Sequence, residues 1–166
     1  KIDGSDIIPV LQVQVVEKNY IDNPSFEEKD ISMWQINNNG NVTTELYVQE
    51  KLSDAYSGTK ALHFWSSNKV DFTVEQTVKN LESGKYKFSI VIHGGDATDA
   101  DMKIYAIADG KRYEAVTKVD GWRNFFSPCI EDILLSGSEI TVGASIKCGK
   151  NGWGSLDDFV LAPVEE

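Results

Sequence analysis

The stretch 85-KYKFSIVIH-93 decides the fold. Tyr86, Phe88, Ile90 and Ile92 fall on one side of an extended chain, and Lys85, Lys87, Ser89, Val91 and His93 on the other. Period two over nine residues describes a strand with one buried face. The same rhythm recurs in 70-VDFTVEQTV-78, where Val70, Phe72, Val74 and Val78 oppose Asp71, Thr73, Glu75 and Thr77. It recurs again in 139-EITVGASIKC-148, with Ile140, Val142, Ala144, Ile146 and Cys148 on one face. Asp109-Gly110 separates MKIYAIA from KRYEAVTKV, and such a pair suits a two-residue hairpin in which both central residues need positive φ. ESGK at 82–85 and LSGSE at 135–139 read as further turns. No segment shows helical periodicity. Roughly ten short strands in one unit predict an all-β fold, a β-sandwich of jelly-roll type.

Outside these strands the chain is less regular. Residues 1–18 read as a linker or a leading strand, since IIPVLQVQVV is apolar and Pro9 favours an edge. Residues 19–166 then form the sandwich. The opening KIDGSD does not read as a signal peptide, and suggests a module cut from a longer chain.

The chain has 166 residues, 41% of them hydrophobic, with four Trp, six Tyr and seven Phe. That suffices for one domain with a sizeable core. The net charge of −10 opposes a phosphate backbone, so nucleic acid is an unsuitable partner. No apolar run approaches the roughly 20 residues of a membrane span. The two cysteines, Cys129 and Cys148, lack metal-ligand spacing; they read as buried thiols or as one disulfide if neighbouring strands bring them together.

Catalytic signatures are missing. There are two histidines, His63 and His93, and no nucleophile elbow, zinc-binding HExxH, P-loop or dinucleotide fingerprint. Two other features invite a functional reading. In 156-LDDFVL-161, Asp157 shares the parity of Phe159 and Leu161, so it is expected to point inward. A buried carboxylate needs a partner. Glu27, beside Phe26 in NYIDNPSFEE, offers a second anionic group, and calcium between them would relieve the repulsion. The acidic loop GGDATDAD lacks the spacing of an EF-hand; its Asp96 follows Gly94-Gly95, which would let a ligand approach the backbone. The second feature is aromatic. Trp34 alternates with apolar neighbours and reads as core. Trp65 shares the outward parity of His63, and Trp122 and Trp153 read as sitting in glycine-flanked loops. Flat rings of this kind stack on the C–H face of a pyranose, while nearby polar groups orient its hydroxyls.

NPSFE, SGTKALHFWS, FTVEQTV, GGDA, YAIADGK, GW and WGSLDDFVL occur in this order. Together they resemble a galactan-binding carbohydrate-binding module of family 61, over about residues 19–163. Such modules accompany arabinogalactan endo-β-1,4-galactanases of glycoside hydrolase family 53. The resemblance implies a galactose-binding-like jelly roll and a structural calcium held by Glu27 and Asp157, with carbonyl ligands from Lys60 and Ser25. It implies a sugar site at Trp65, His93, Asp96, Trp122 and Trp153, to which strand parity and loop placement add Arg123 and Lys147. His93 stands where the resemblance leads one to expect an amide or other polar residue. The expected protein is a monomeric, non-catalytic module, secreted or at the cell surface of a bacterium. Its expected partners are β-1,4-galactan and a catalytic domain in the same parent chain. Another glycan, or a purely structural spacer role, is the alternative.

Overall fold

A computed structural model describes residues 18–165; the segment read as a linker or leading strand lies outside them apart from Lys18. Eleven strands occupy the described residues: β1 (Gln35–Asn38), β2 (Glu45–Glu50), β3 (Lys60–Trp65), β4 (Val70–Val78), β5 (Gly84–Gly95), β6 (Asp101–Ala108), β7 (Lys111–Thr117), β8 (Gly121–Phe126), β9 (Cys129–Leu135), β10 (Ile140–Cys148) and β11 (Trp153–Pro163). They form two antiparallel sheets. One has the order β1-β4-β10-β6-β7. The other runs β2-β3-β11-β5, and β5 is long enough to pair with both β8 and β9. The expected all-β sandwich is the fold observed.

The alternating residues build the core. Phe72, Val74, Ile104, Val142, Ala144 and Ile146 from the first sheet meet Leu62, Phe64, Phe88, Ile90, Ile92 and Leu161 from the second, all fully buried. Each large side chain removed from water contributes about 1.5–3 kcal/mol. Trp34 is core as expected. It packs against Phe159 and Phe26 at centroid distances of 4.8 and 5.0 Å, and its indole N–H donates to the Asn23 carbonyl. The Asp109-Gly110 turn joins β6 to β7 with φ of 53° and 75°, the positive pair that its sequence foretold. Cys129 on β9 and Cys148 on β10 belong to different sheets and are not bonded to each other.

The first described residues run along the last strand. Asn19 donates to the Phe159 carbonyl and accepts from the Leu161 amide, and the Tyr20 amide donates to the Leu161 carbonyl. One parity expectation fails here. The register of β11 against β5 slips between Asp157 and Val160, and Asp158 has φ of 45°. This bulge places two residues between the buried Leu156 and the buried Phe159. Asp157 therefore keeps the phase of Trp153 and Ser155, away from the core, and is buried beneath the β2–β3 loop instead.

Candidate functional site: an aromatic cleft on the six-stranded sheet

The outer face of the six-stranded sheet is a grid set by register. One row reads Glu45, Trp65, Trp153, Gly95 across β2, β3, β11 and β5; the next reads Tyr47, His63, Ser155, His93. Neighbouring strands are about 4.8 Å apart, so Trp65 and Trp153 stand side by side. The opposite position must be glycine. A Cβ on Gly95 would lie 2.8 Å from the Trp153 ring, so the missing side chain lets the indole lie down on β5. The Trp153 N–H donates to Asp96 Oδ2 at 2.9 Å, which fixes the ring's orientation. Asp96 sits in the left-handed region (φ 52°), at the turn that ends β5.

Walls rise from the β2–β3 loop (residues 51–59) and from β8. Trp122 is on β8 and Trp153 opens β11, so neither lies in a loop as expected, and Trp122 is 59% exposed. Its N–H donates to Asp54 Oδ1 at 2.9 Å, and Lys51 lies 3.4 Å from Asp54 Oδ2. Burial raises the Asp54 carboxyl, but the indole N–H and Lys51 together outweigh it and hold the group below its ordinary value. Arg123 donates to the Ser53 carbonyl at 2.7 Å, with its guanidinium near Phe125. The cleft so enclosed is about 420 Å³, lined by Glu45, Lys51, Asp54, His63, Trp65, Trp122, Trp153 and Ser155. Aromatic floor and wall, two carboxylates, a cation and an imidazole make a surface that stacks on apolar ring faces and exchanges hydrogen bonds with hydroxyls. A second hollow, about 490 Å³ between Val116, Lys118, Phe126 and Pro128, has one aromatic ring and no carboxylate.

The structure thus brings Trp65, Trp122 and Trp153 together. Asp96 and Arg123 flank them and hold wall or platform in place. His93 lies beneath, 1% exposed. Lys147 is elsewhere: it is on β10, opposite Asp71 and Asp101 on the outer face of the five-stranded sheet. Parity told that it faces outward but not from which sheet. Glu45, Lys51, Asp54 and Ser155 were missed. Glu45 and Ser155 enter through the β2–β3–β11 register, and Lys51 and Asp54 through the path of the β2–β3 loop, neither of which a local pattern reveals.

The acidic cluster lies at the other end of the β2–β3 loop. Asp157 Oδ2 accepts the Tyr56 and Ser57 amides at 2.9 and 3.1 Å, and Oδ1 accepts the Asp158 amide. Glu27 accepts the Thr59 and Lys60 amides at 3.0 and 2.8 Å. Lys60 enters through its N–H rather than its carbonyl. The Ser25 hydroxyl donates to Asp158 Oδ1 at 2.7 Å, and the Ser57 hydroxyl donates to the same oxygen. Despite three amide donors, burial pushes Asp157 up to about 7. The side-chain donors here are oxygens alone, which is the chemistry of calcium rather than of zinc or copper. The deeply buried Asp157 has backbone amides but no cationic side chain among its hydrogen-bond partners. In those two respects the residues fit a hard cation. Among the described residues no three His, Cys, Asp or Glu side chains form a ready metal-holding group.

Comparison with known proteins now adds to this geometry. No family model and no curated protein matches the chain. Solved structures do. TmCBM61 in complex with β-1,4-galactotriose superposes with a TM-score of 0.78 at 24% identity, covering 89% of this chain and 99% of that one. The chain has the fold of a family 61 carbohydrate-binding module. A xylan-binding domain of family 22 matches at TM-score 0.56 and 15% identity, over 87% of this chain and 95% of that one. The CBM22-1-GH10 modules of Clostridium thermocellum endo-1,4-β-D-xylanase 10B, complexed with xylohexaose, match at 0.62 and 14%, over 90% of this chain and 29% of that one.

Proposed function

We propose that this chain is a non-catalytic glycan-binding module whose ligand is β-1,4-linked galactan. The observation that carries the reading is the cleft in which Trp65, Trp122 and Trp153 converge with Glu45, Asp54, His63 and Lys51. The likeness of fold to a module complexed with β-1,4-galactotriose supports the choice of sugar. Indole faces take up the apolar side of successive galactose rings, and the carboxylates and imidazole distinguish the axial 4-hydroxyl from an equatorial one. Titration calorimetry with β-1,4-galactotriose, xylohexaose and cellohexaose tests this. Heat with the galactan oligosaccharide and none with the others is expected. Heat with xylohexaose alone reassigns the cleft to xylan. Release of reducing ends from galactan by the isolated chain would make it an enzyme.

In the parent protein the module tethers a catalytic domain to insoluble galactan and raises its effective concentration there. Such work is done outside a bacterial cell, secreted or at its surface. The scaffold includes a calcium ion near Ser25, Glu27, Lys60 and Asp157, joined by Asp158. Bound there, calcium neutralises the buried Asp157 carboxylate and stabilises the junction of the N-terminal segment, β3 and β11. Calcium at about 100 times its Kd stabilises by ~2.7 kcal/mol, or about 5–10 °C in a domain of this size. Excess chelator is expected to lower the melting temperature by that amount and to change galactotriose affinity little. Identical melting with and without chelator removes calcium from the reading.

A further inference from the structure

His93 is almost wholly buried, yet both its ring nitrogens are engaged by main-chain groups of two different walls. The Arg123 amide points at Nδ1 at 3.0 Å, and Nε2 lies 2.8 Å from the Asp54 carbonyl. An amide only donates and a carbonyl only accepts. Nδ1 must therefore carry the lone pair and Nε2 the proton, which fixes a neutral imidazole in one tautomer. The ring also contacts Phe125 at 4.8 Å and Trp153 at 6.2 Å between centroids.

The two groups it joins carry the wall of the cleft. Asp54 holds the Trp122 indole, and Arg123 follows Trp122 in β8 with φ of 58°. Pairing of β8 with β5 is sparse, at Ile92–Phe126 and Gly94–Gly121, with a slip between them. Trp122 lies in that gap, so the ladder supports it poorly and the imidazole bridges the gap from below.

We infer that His93 is a positioning residue: its neutral Nε2–H tautomer locks the Trp122 wall to the sheet and keeps the cleft in its binding shape. The inference rests on the glycan-binding reading of the cleft. Protonation of Nδ1 sets one N–H against another, so the Arg123 amide must leave and the wall with it. The charged groups acting on the ring are Asp54, itself paired with Lys51, and Arg123. From β11 it meets Ser155 and Trp153, with the Asp157 carboxyl diagonally beyond on the same face and tied to the Tyr56 and Ser57 amides of the loop that carries Asp54, and His63 with Glu45 lies two strands away. Burial holds His93 below its ordinary value of 6.5. The unfolded chain therefore binds the extra proton first, and stability contributed by the neutral ring is complete above about pH 6.5 and declines as pH falls toward the folded value.

The test uses the His63→Gln protein, in which His93 is the sole imidazole, alongside the wild type. Nitrogen-15 spectra are expected to show the Nε2–H tautomer at neutral pH and proton uptake below pH 6.5. Galactotriose affinity of the wild type should be level above that pH and fall roughly tenfold across the uptake, as the Arg123 amide's hydrogen bond to Nδ1 is lost, while the His63→Gln protein serves for the spectra. The Trp122 indole N–H signal should move over the same range without ligand. His93→Asn keeps an acceptor near the Nδ1 position, and His93→Gln keeps a donor near the Nε2 position. Each is expected to bind more weakly at neutral pH and to lack the acid step. An Nδ1–H tautomer, or proton uptake with affinity and Trp122 signal both unchanged, overturns the inference. If no glycan binds at any pH, the functional reading fails, while tautomer and Trp122 movement still decide the role of His93.

Discussion

Each outer face of the sandwich lays one aromatic ring flat on a glycine, and the two rings have opposite fates. On the five-stranded sheet Tyr105 of β6 lies across Gly143 of β10, its partner in register; a Cβ there would come within 2.6 Å of the ring. The Arg112 guanidinium covers the other side at 4.1 Å, the hydroxyl donates to Glu75, and the ring is 2% exposed. On the six-stranded sheet Trp153 lies on Gly95 in the same way, but among the described residues no cation covers it. Walls stand to the side and leave a cleft above. A glycine opposite an aromatic residue is thus a means of seating a ring, and what lies over the ring decides whether it is scaffold or platform. Lys147 belongs to the covered face, which is why its outward parity carried no information about the cleft.

The sharpest way to break this contrast is to remove the open rings. Trp122→Ala and Trp153→Ala are each expected to weaken galactotriose binding by about 2 kcal/mol, roughly 30-fold, by calorimetry. Trp122→Ala should leave the melting temperature nearly unchanged, because the ring is mostly exposed. Unchanged affinity in both would make the two faces equivalent. Next come the seats themselves. Gly143→Ala forces a methyl against the Tyr105 ring and the Val74 carbonyl, and is expected to lower stability by about 1–3 kcal/mol in urea titrations without altering affinity. Gly95→Ala meets only the Trp153 ring, and should weaken binding more than it weakens folding. The smallest effect belongs to the cover. Arg112→Ala exposes Tyr105 and removes a cation–π contact of about 0.5–1 kcal/mol, a shift of a few degrees in melting. Any glycan affinity gained on that face would show that cover alone separates the two.

Much of this was legible beforehand, for physical reasons that also mark the boundary. Alternation in β4, β5 and β10 reports a half-buried pleat, and it gave the sandwich and its core directly. Asp109-Gly110 announced its turn because few other pairs adopt two positive φ values cheaply. Asp157 was misplaced because alternation assumes an unbroken register, and the bulge at Asp158 breaks it. Trp122 read as loop because Gly121 precedes it, although the segment pairs with β5 at its ends. Glu45 and Asp54 were invisible because their roles arise from partners distant in sequence: Glu45 stands in register with Trp65 and through it Trp153, and Asp54 meets Trp122, 68 residues on. Their own neighbours in sequence say nothing of Trp153 or Trp122.

The β2–β3 loop is fastened at both extremities: its distal amides, from Tyr56 to Lys60, enter Asp157 and Glu27, while Ser53 and Asp54 hold Arg123, His93 and Trp122. A strip tied down in this manner has little freedom left to surrender when a guest arrives. Association should then resemble the fitting of a key more than the closing of a hand, with selectivity residing in shape and with little rearrangement visible between the empty and filled forms.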